Sequence, residues 1–420
     1  MPDLAVLLAQ VAVVLAAARL LGSAARRVGQ PRVVGEMAAG ILLGPSLLGW
    51  AAPGVFRWLV PPGSLGYLAA LSQVGLLVFM FVVGLHLDPR LLRGRGRAAV
   101  FISHASIALP FGLGALLAAY LYPRLAPAGV RFAAFALFMG AAMSVTAFPV
   151  VARILAERGM VQTRVGVLTL ACAAVDDVTA WCILAAVVAL VRAASAALPL
   201  WATLAGSAGF MLAMVFAVRP LLAPLEARFG REGQLSHDTL GWMLLVLLAA
   251  AWTTERLGIH ALFGAFVAGA VFPHGAAFVR GVTDKLEAFA VVLLLPLFFA
   301  LTGLRTNVAG LEGARAWGVC GVIVLVAVAG KFGGSAAAAR LAGMSWRDAG
   351  ALGALMNTRG LMELVILNVG LESGVISTPL FTMMVIMALA TTIGTSVVLD
   401  RLYPAPADSG TAPSSAPARP

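Results

Sequence analysis

Long apolar blocks alternate with short polar connectors along almost the whole chain. Blocks near 20 residues have the length of a helical membrane span. Thirteen are read, at about 4–21, 33–50, 65–87, 98–121, 132–152, 165–190, 198–218, 239–254, 258–273, 286–303, 316–339, 349–370 and 377–399. None shows the alternating pattern of a membrane β-barrel strand. The predicted fold is an all-α polytopic membrane protein. Thirteen spans divide as six, one and six, so the second six would enter from the opposite side; this parity permits an inverted repeat. The domain expectation is a transmembrane unit over residues 1–402 and a disordered Pro/Ala/Ser-rich tail over 403–420, "PAPADSGTAPSSAPARP" after Tyr403. The opening "LAVLLAQVAVVLAAARLLG" has neither a basic flank nor a small-residue cleavage site and is expected to stay as a first span.

Composition agrees with that pattern. The 420 residues are 61% hydrophobic and only 11% charged, against about 25% charged in soluble domains. The net charge of +11 sits on arginines in short loops, so it reports topology and no nucleic-acid partner is expected. Loops after the odd-numbered spans hold eighteen basic residues and the opposite loops seven. The positive-inside rule then places the N-terminus outside and the C-terminus in the cytoplasm of a cell membrane. Two basic residues, Lys331 and Arg359, fall inside spans.

Polar residues at membrane depth are costly, about 2.5–3.5 kcal/mol for an aspartate at the centre of a span, and therefore call for a use. The sixth span carries two adjacent carboxylates, Asp176 and Asp177, in "CAAVDDVTAW". Neighbours on a helix point about 100° apart, so one can face a cavity while the other faces a partner helix. The fifth span contains "AAMSVTAFPVVARIL", with Ser144, Thr146 and Pro149. Pro149 is read either as an ordinary kink or as part of a broken helix whose peptide ends face an ion. The twelfth span is interrupted at similar depth by Asn357, Thr358, Arg359 and Gly360. Interrupted helices in corresponding halves point to a transporter site. Lys331 is one of two lysines against 27 arginines. It is read as a proton-releasing group or as a fixed partner of an aspartate, and the two can coexist. Arg359 would balance the negative ends of broken helices, with Glu363 as its i,i+4 partner. His260 is read as a helix-end residue, and Cys172, Cys182 and Cys320 as small core residues.

No P-loop, HExxH, GxSxG or repeated TVGYG-like filter occurs in the sequence. Neither an enzyme nor a cofactor is expected. The chemistry on offer is protonation of a few carboxylates and one lysine, coupled to a cation.

The stretches "GEMAAGILLGPSLLG", "MSVTAFPVVARIL", "AAVDDVTAW", "GIHALFGAFVAGAVFP", "LPLFFALTGLRTN", "GKFGG" and "NTRGLMELVILNVG", in that order, resemble the monovalent cation:proton antiporter-2 family. The likeness extends to bacterial members and to the membrane part of plant cation/proton exchangers. It implies a sodium/proton-antiporter-like fold with two crossing discontinuous helices and a homodimer with dimerisation and core subdomains. Asp177 matches the family's ion-binding aspartate and would hold the transported cation. Asp176 matches the preceding acidic position, Lys331 its lysine partner and Thr146 the threonine beside the unwound stretch. The tail is too short for the nucleotide-binding regulatory domain of some relatives. The expected function is exchange of Na⁺ or K⁺ for protons by alternating access, electrogenic if Lys331 releases a proton. The alternatives are a coupled transporter of an organic substrate and a gated K⁺ efflux pathway.

Overall fold

The computed structural model describes residues 4–61, 63–86, 96–192, 200–225 and 236–403. The expected tail beyond Tyr403 and the arginines of the 88–95 connector lie outside the described residues. Helices, turns and short connectors make up the described chain, and no strand occurs among them. Each of the thirteen apolar segments falls on helix, but they are not thirteen equal crossings. Ten helical runs among the described residues are long and apolar enough to cross a membrane, and Phe132–Ser144 and Ala261–Val271 are shorter apolar helices. Phe132–Ser144 stops at a break and Ala261–Val271 falls short of a bilayer width, whereas His237–Arg256 has the length of a span but polar residues at both ends.

Burial sorts the helices into a centre and a rim. In the run Trp346–Glu372, 94% of the most apolar stretch is buried, against 17% for Leu4–Arg27 and 12% for Trp201–Leu222. The rim helices expose Leu8, Leu20, Trp201, Phe216, Trp242 and Trp252. In water such a surface would drive association; in lipid it is the ordinary outer face of a bundle.

Lipid gives helices no hydrophobic reason to associate, so close packing has to come from small residues. Gly40 and Gly303 show this where Arg32–Leu43 meets Leu295–Arg305. A Cβ at Gly40 would lie 2.0 Å from the Ala300 carbonyl oxygen, and one at Gly303 2.4 Å from that of Met37. Gly84 and Gly269 form the same reciprocal contact between Leu65–Leu85 and Ala261–Val271.

The centre is built from two interrupted helices. The first runs Phe132–Ser144, unwinds over 145–147 and resumes as Phe148–Glu157. The second runs Trp346–Met356, opens over 357–360 and resumes as Leu361–Glu372. Pro149 lies in the first turn of its half-helix, where no backbone donor is needed, so it starts a helix rather than kinking one. The two breaks touch: the Ala147 amide donates to the Thr358 carbonyl at 3.1 Å. The C-terminal end of each first half thus lies beside the start of the other run's second half, and the two runs cross.

Candidate functional site

A broken helix leaves carbonyls at one stump and amides at the other without partners. The stump of Phe132–Ser144 carries three such carbonyls in succession, and two buried cations take them. The Arg359 guanidinium donates to Ala142 O at 2.8 Å and Met143 O at 2.7 Å. Lys331 Nζ donates to Ser144 O at 2.5 Å. Both cations sit where the helix dipole is negative. Arg359 also pairs with Glu363 at 2.5 Å, one turn along its helix, with both side chains fully buried.

The second break is held from Thr378–Leu402, a helix carrying Thr391, Thr392 and Thr395 on one buried face. The Arg359 amide donates to Thr392 Oγ1 at 3.0 Å, whose hydroxyl donates to Arg359 O at 2.7 Å. Thr395 donates to Ala354 O at 2.8 Å and Thr358 reaches Thr395 at 3.4 Å. Asn357 is 5% exposed, and its Oδ1 has no hydrogen-bond partner.

The aspartates lie in Arg164–Arg192, which packs against the first broken run, and they face different surroundings. Asp176, 1% exposed, is enclosed by donors. Lys331 Nζ donates to Oδ2 at 2.7 Å, Thr146 Oγ1 lies 2.9 Å from the same oxygen, Ser106 donates at 3.0 Å and Ser103 donates to Oδ1. Thr146 is also 2.9 Å from Met356 O, so its single proton serves one acceptor at a time and links the two breaks to the carboxylate. Asp177 is 2% exposed and neither of its oxygens has a hydrogen-bond partner. The Phe148 amide, first of its half-helix, faces this carboxylate without closing a bond.

The structure therefore brings Asp176, Thr146, Lys331 and the Ser144 carbonyl into direct contact, with Asp177 beside them. Arg359 and Glu363 form a second ion pair at the same crossing, with Asn357 and Thr358 in the loop between the halves. The Ser144 hydroxyl turns back to Ala141 O at 2.9 Å, so only its carbonyl serves the site. Ser103 and Ser106 were not found by sequence reasoning. Their spacing of three on one apolar helix is a signal, but serines that simply bond their own helix look the same. Among the described residues no group of three His, Cys, Asp or Glu side chains could hold a metal ion. His260 caps Ala261–Val271, accepting from the Leu262 amide at 3.4 Å.

Two crossing broken helices around a buried ion pair and an unpartnered carboxylate define a helical membrane protein with an ion-handling centre. The chain belongs to the family described as sodium/hydrogen exchanger, transmembrane, whose profile matches residues 12–402. It is 43% identical over 407 residues to the Na⁺/H⁺ antiporter NhaS4 of Synechocystis sp., covering 96% of this chain and 98% of that protein. It is 41% identical to cation/H⁺ antiporter 17 of Arabidopsis thaliana and 32% identical to K⁺/H⁺ antiporter 1 of Saccharomyces cerevisiae, covering 95% and 89% of this chain. The chain spans about half of those two proteins, 48% and 44% of their lengths. Its fold is like that of the sodium proton antiporter MjNhaP1 from Methanocaldococcus jannaschii, with a TM-score of 0.68 over 95% of this chain and 99% of that one. At 15% identity that likeness concerns the fold alone.

Proposed function

We propose that this protein is a secondary antiporter exchanging a monovalent cation, Na⁺ or K⁺, for protons across a cell membrane by alternating access. The observation that carries the reading is Asp177, a buried carboxylate without a hydrogen bond at the crossing of two broken helices. Such a group is costly to keep as it stands, and either a proton or a cation relieves it. Competition between the two is the chemistry of exchange. The family and the antiporter names of the relatives support the same reading.

In this scheme Asp177 holds the cation, with oxygens exposed by the unwound segments completing its shell. Asp176 and Lys331 form the adjacent charged pair. Arrival of the cation draws Asp176 from Lys331, which then gives up a proton, and the cycle becomes electrogenic. Arg359, Glu363, Asn357, Thr358, Ser144 and Pro149 support the breaks. The working unit is a homodimer with its N-terminus outside and its C-terminus in the cytoplasm.

The test is purified protein in liposomes with an imposed pH gradient and a trapped pH dye. Na⁺, K⁺ and Li⁺ are added in turn, with and without a clamp on the membrane potential. Dequenching by one cation identifies the cargo, and its dependence on the clamp reports electrogenicity. No response from inserted protein to any cation contradicts the reading.

A further inference from the structure

Lys331 lies near a carboxylate that has no partner, yet it bonds to the other one. Its ammonium has three N–H donors, and three close acceptors use them: Asp176 Oδ2 at 2.7 Å, Ser144 O at 2.5 Å and Ser106 O at 2.9 Å. The first is a charged partner and the second a carbonyl of the broken stump. The third comes from the middle of an unbroken helix, Gly96–Leu125, where carbonyls normally accept from the amide four residues on.

Four residues after Ser106 stands Pro110, inside that helix. Proline has no amide proton, so the Ser106 carbonyl loses its helical donor. The lysine-bearing run brings Nζ to this carbonyl by two local features. Gly330 lies against Pro110 so closely that a Cβ there would be 2.9 Å from the Pro110 Cα. The backbone at Ala329–Gly333 is a π-helical turn, a distortion common at functional sites.

We infer that Pro110 is a positioning residue for cation exchange: by freeing the Ser106 carbonyl it occupies the third donor of Lys331 and so leaves Asp177 open to the cargo. The inference rests on the exchange reading above. Without that carbonyl, the third donor keeps only the longer contact to Ser106 Oγ at 3.4 Å, with an unpartnered carboxylate nearby, and the ammonium competes with the arriving cation for Asp177. The charged groups around Lys331 are Asp176 and Asp177 on the aspartate helix and Arg359 and Glu363 on the second broken run. None of these is altered by changing Pro110.

Pro110→Ala and Pro110→Gly both restore an amide that competes with Lys331 for the Ser106 carbonyl and weakens its hold on the third donor. Each is measured in liposomes beside wild type and beside Pro123→Ala, which removes the exposed proline of the same helix. The expected result is an apparent KM for the cation raised about tenfold in both Pro110 variants, with maximal rate within twofold of wild type, since a hydrogen bond to a charged group is at stake. Pro123→Ala should match wild type. An unmoved KM in the Pro110 variants, or a fall in maximal rate alone, overturns the proposal. Failure of both to insert also overturns it, because Pro110 would then serve packing. Wild type with no cation response contradicts the exchange reading instead, whereas normal wild-type exchange with an unmoved KM contradicts only this assignment.

Discussion

Adjacent aspartates end in opposite circumstances because the 100° step between them aims one at donors and the other away from them. Asp176 meets Ser103, Ser106, Thr146 and Lys331, while Asp177 meets no bonding partner. Asp177→Asn should therefore insert normally and lose exchange altogether, read as dye dequenching in liposomes. Retained exchange would remove Asp177 from the mechanism. Asp176→Ala should be harsher on the fold, since breaking one side of a buried ion pair costs about 3–5 kcal/mol. A lowered midpoint of thermal unfolding in detergent is the expected sign. A pair of acids in an apolar run was legible as a site, but the sequence alone did not reveal the serines that enclose one of them. They belong to a helix 70 residues or more away in the chain, and a serine in a span carries no mark of what it bonds.

The second run was legible as interrupted at Asn357 to Gly360, while Pro149 in the first left a kink and a break both open. The chemistry of the stumps was less visible. Arg359 was expected to face helix ends in general, and it bonds Ala142 O and Met143 O in particular. Removing it leaves two buried carbonyls and Glu363 without their donor. Arg359→Ala should cost more stability than the Arg359→Ala, Glu363→Ala double change, because the double change leaves no buried charge unpaired. Thermal unfolding of the purified proteins in detergent decides between these orders. The threonines of Thr378–Leu402 show the same limit. Each could have bonded only its own helix, as Thr391 does with Met387 O at 2.9 Å, and it is the fold that lends Thr392 and Thr395 to the break.

For the whole molecule, the alternating-access proposal has the helices around the crossing move against Leu295–Arg305 and its neighbours. The boundary is tied by polar contacts: Arg305 with Glu372 at 2.7 Å, Arg305 with Asn368 at 2.8 Å, and Asn368 with Thr302 at 3.0 Å. A disulfide between Thr302→Cys and Asn368→Cys should stop exchange, and a reductant should restore it. Exchange that continues with the disulfide formed would mean that this boundary does not slide. Each of the thirteen segments fell on helix, while the short Pro53–Leu59 and the amphipathic Ala276–Phe289 lay largely outside them, because apolarity marks membrane depth and not every helix is apolar throughout.

Period and apolarity are local properties, so the sequence by itself determined the helical membrane class, the positions of the apolar helices and the interruption at Asn357 to Gly360. Its buried acids, lysine and arginine also marked a charged centre, because each is expensive in lipid and visible one residue at a time. Which acid is paired, which carbonyls hold Lys331 and Arg359, and which distant serines and threonines complete the site were decided only by tertiary structure. Those are relations between groups far apart in the chain, and a hydrogen bond depends on a few tenths of an ångström that only the packed helices set.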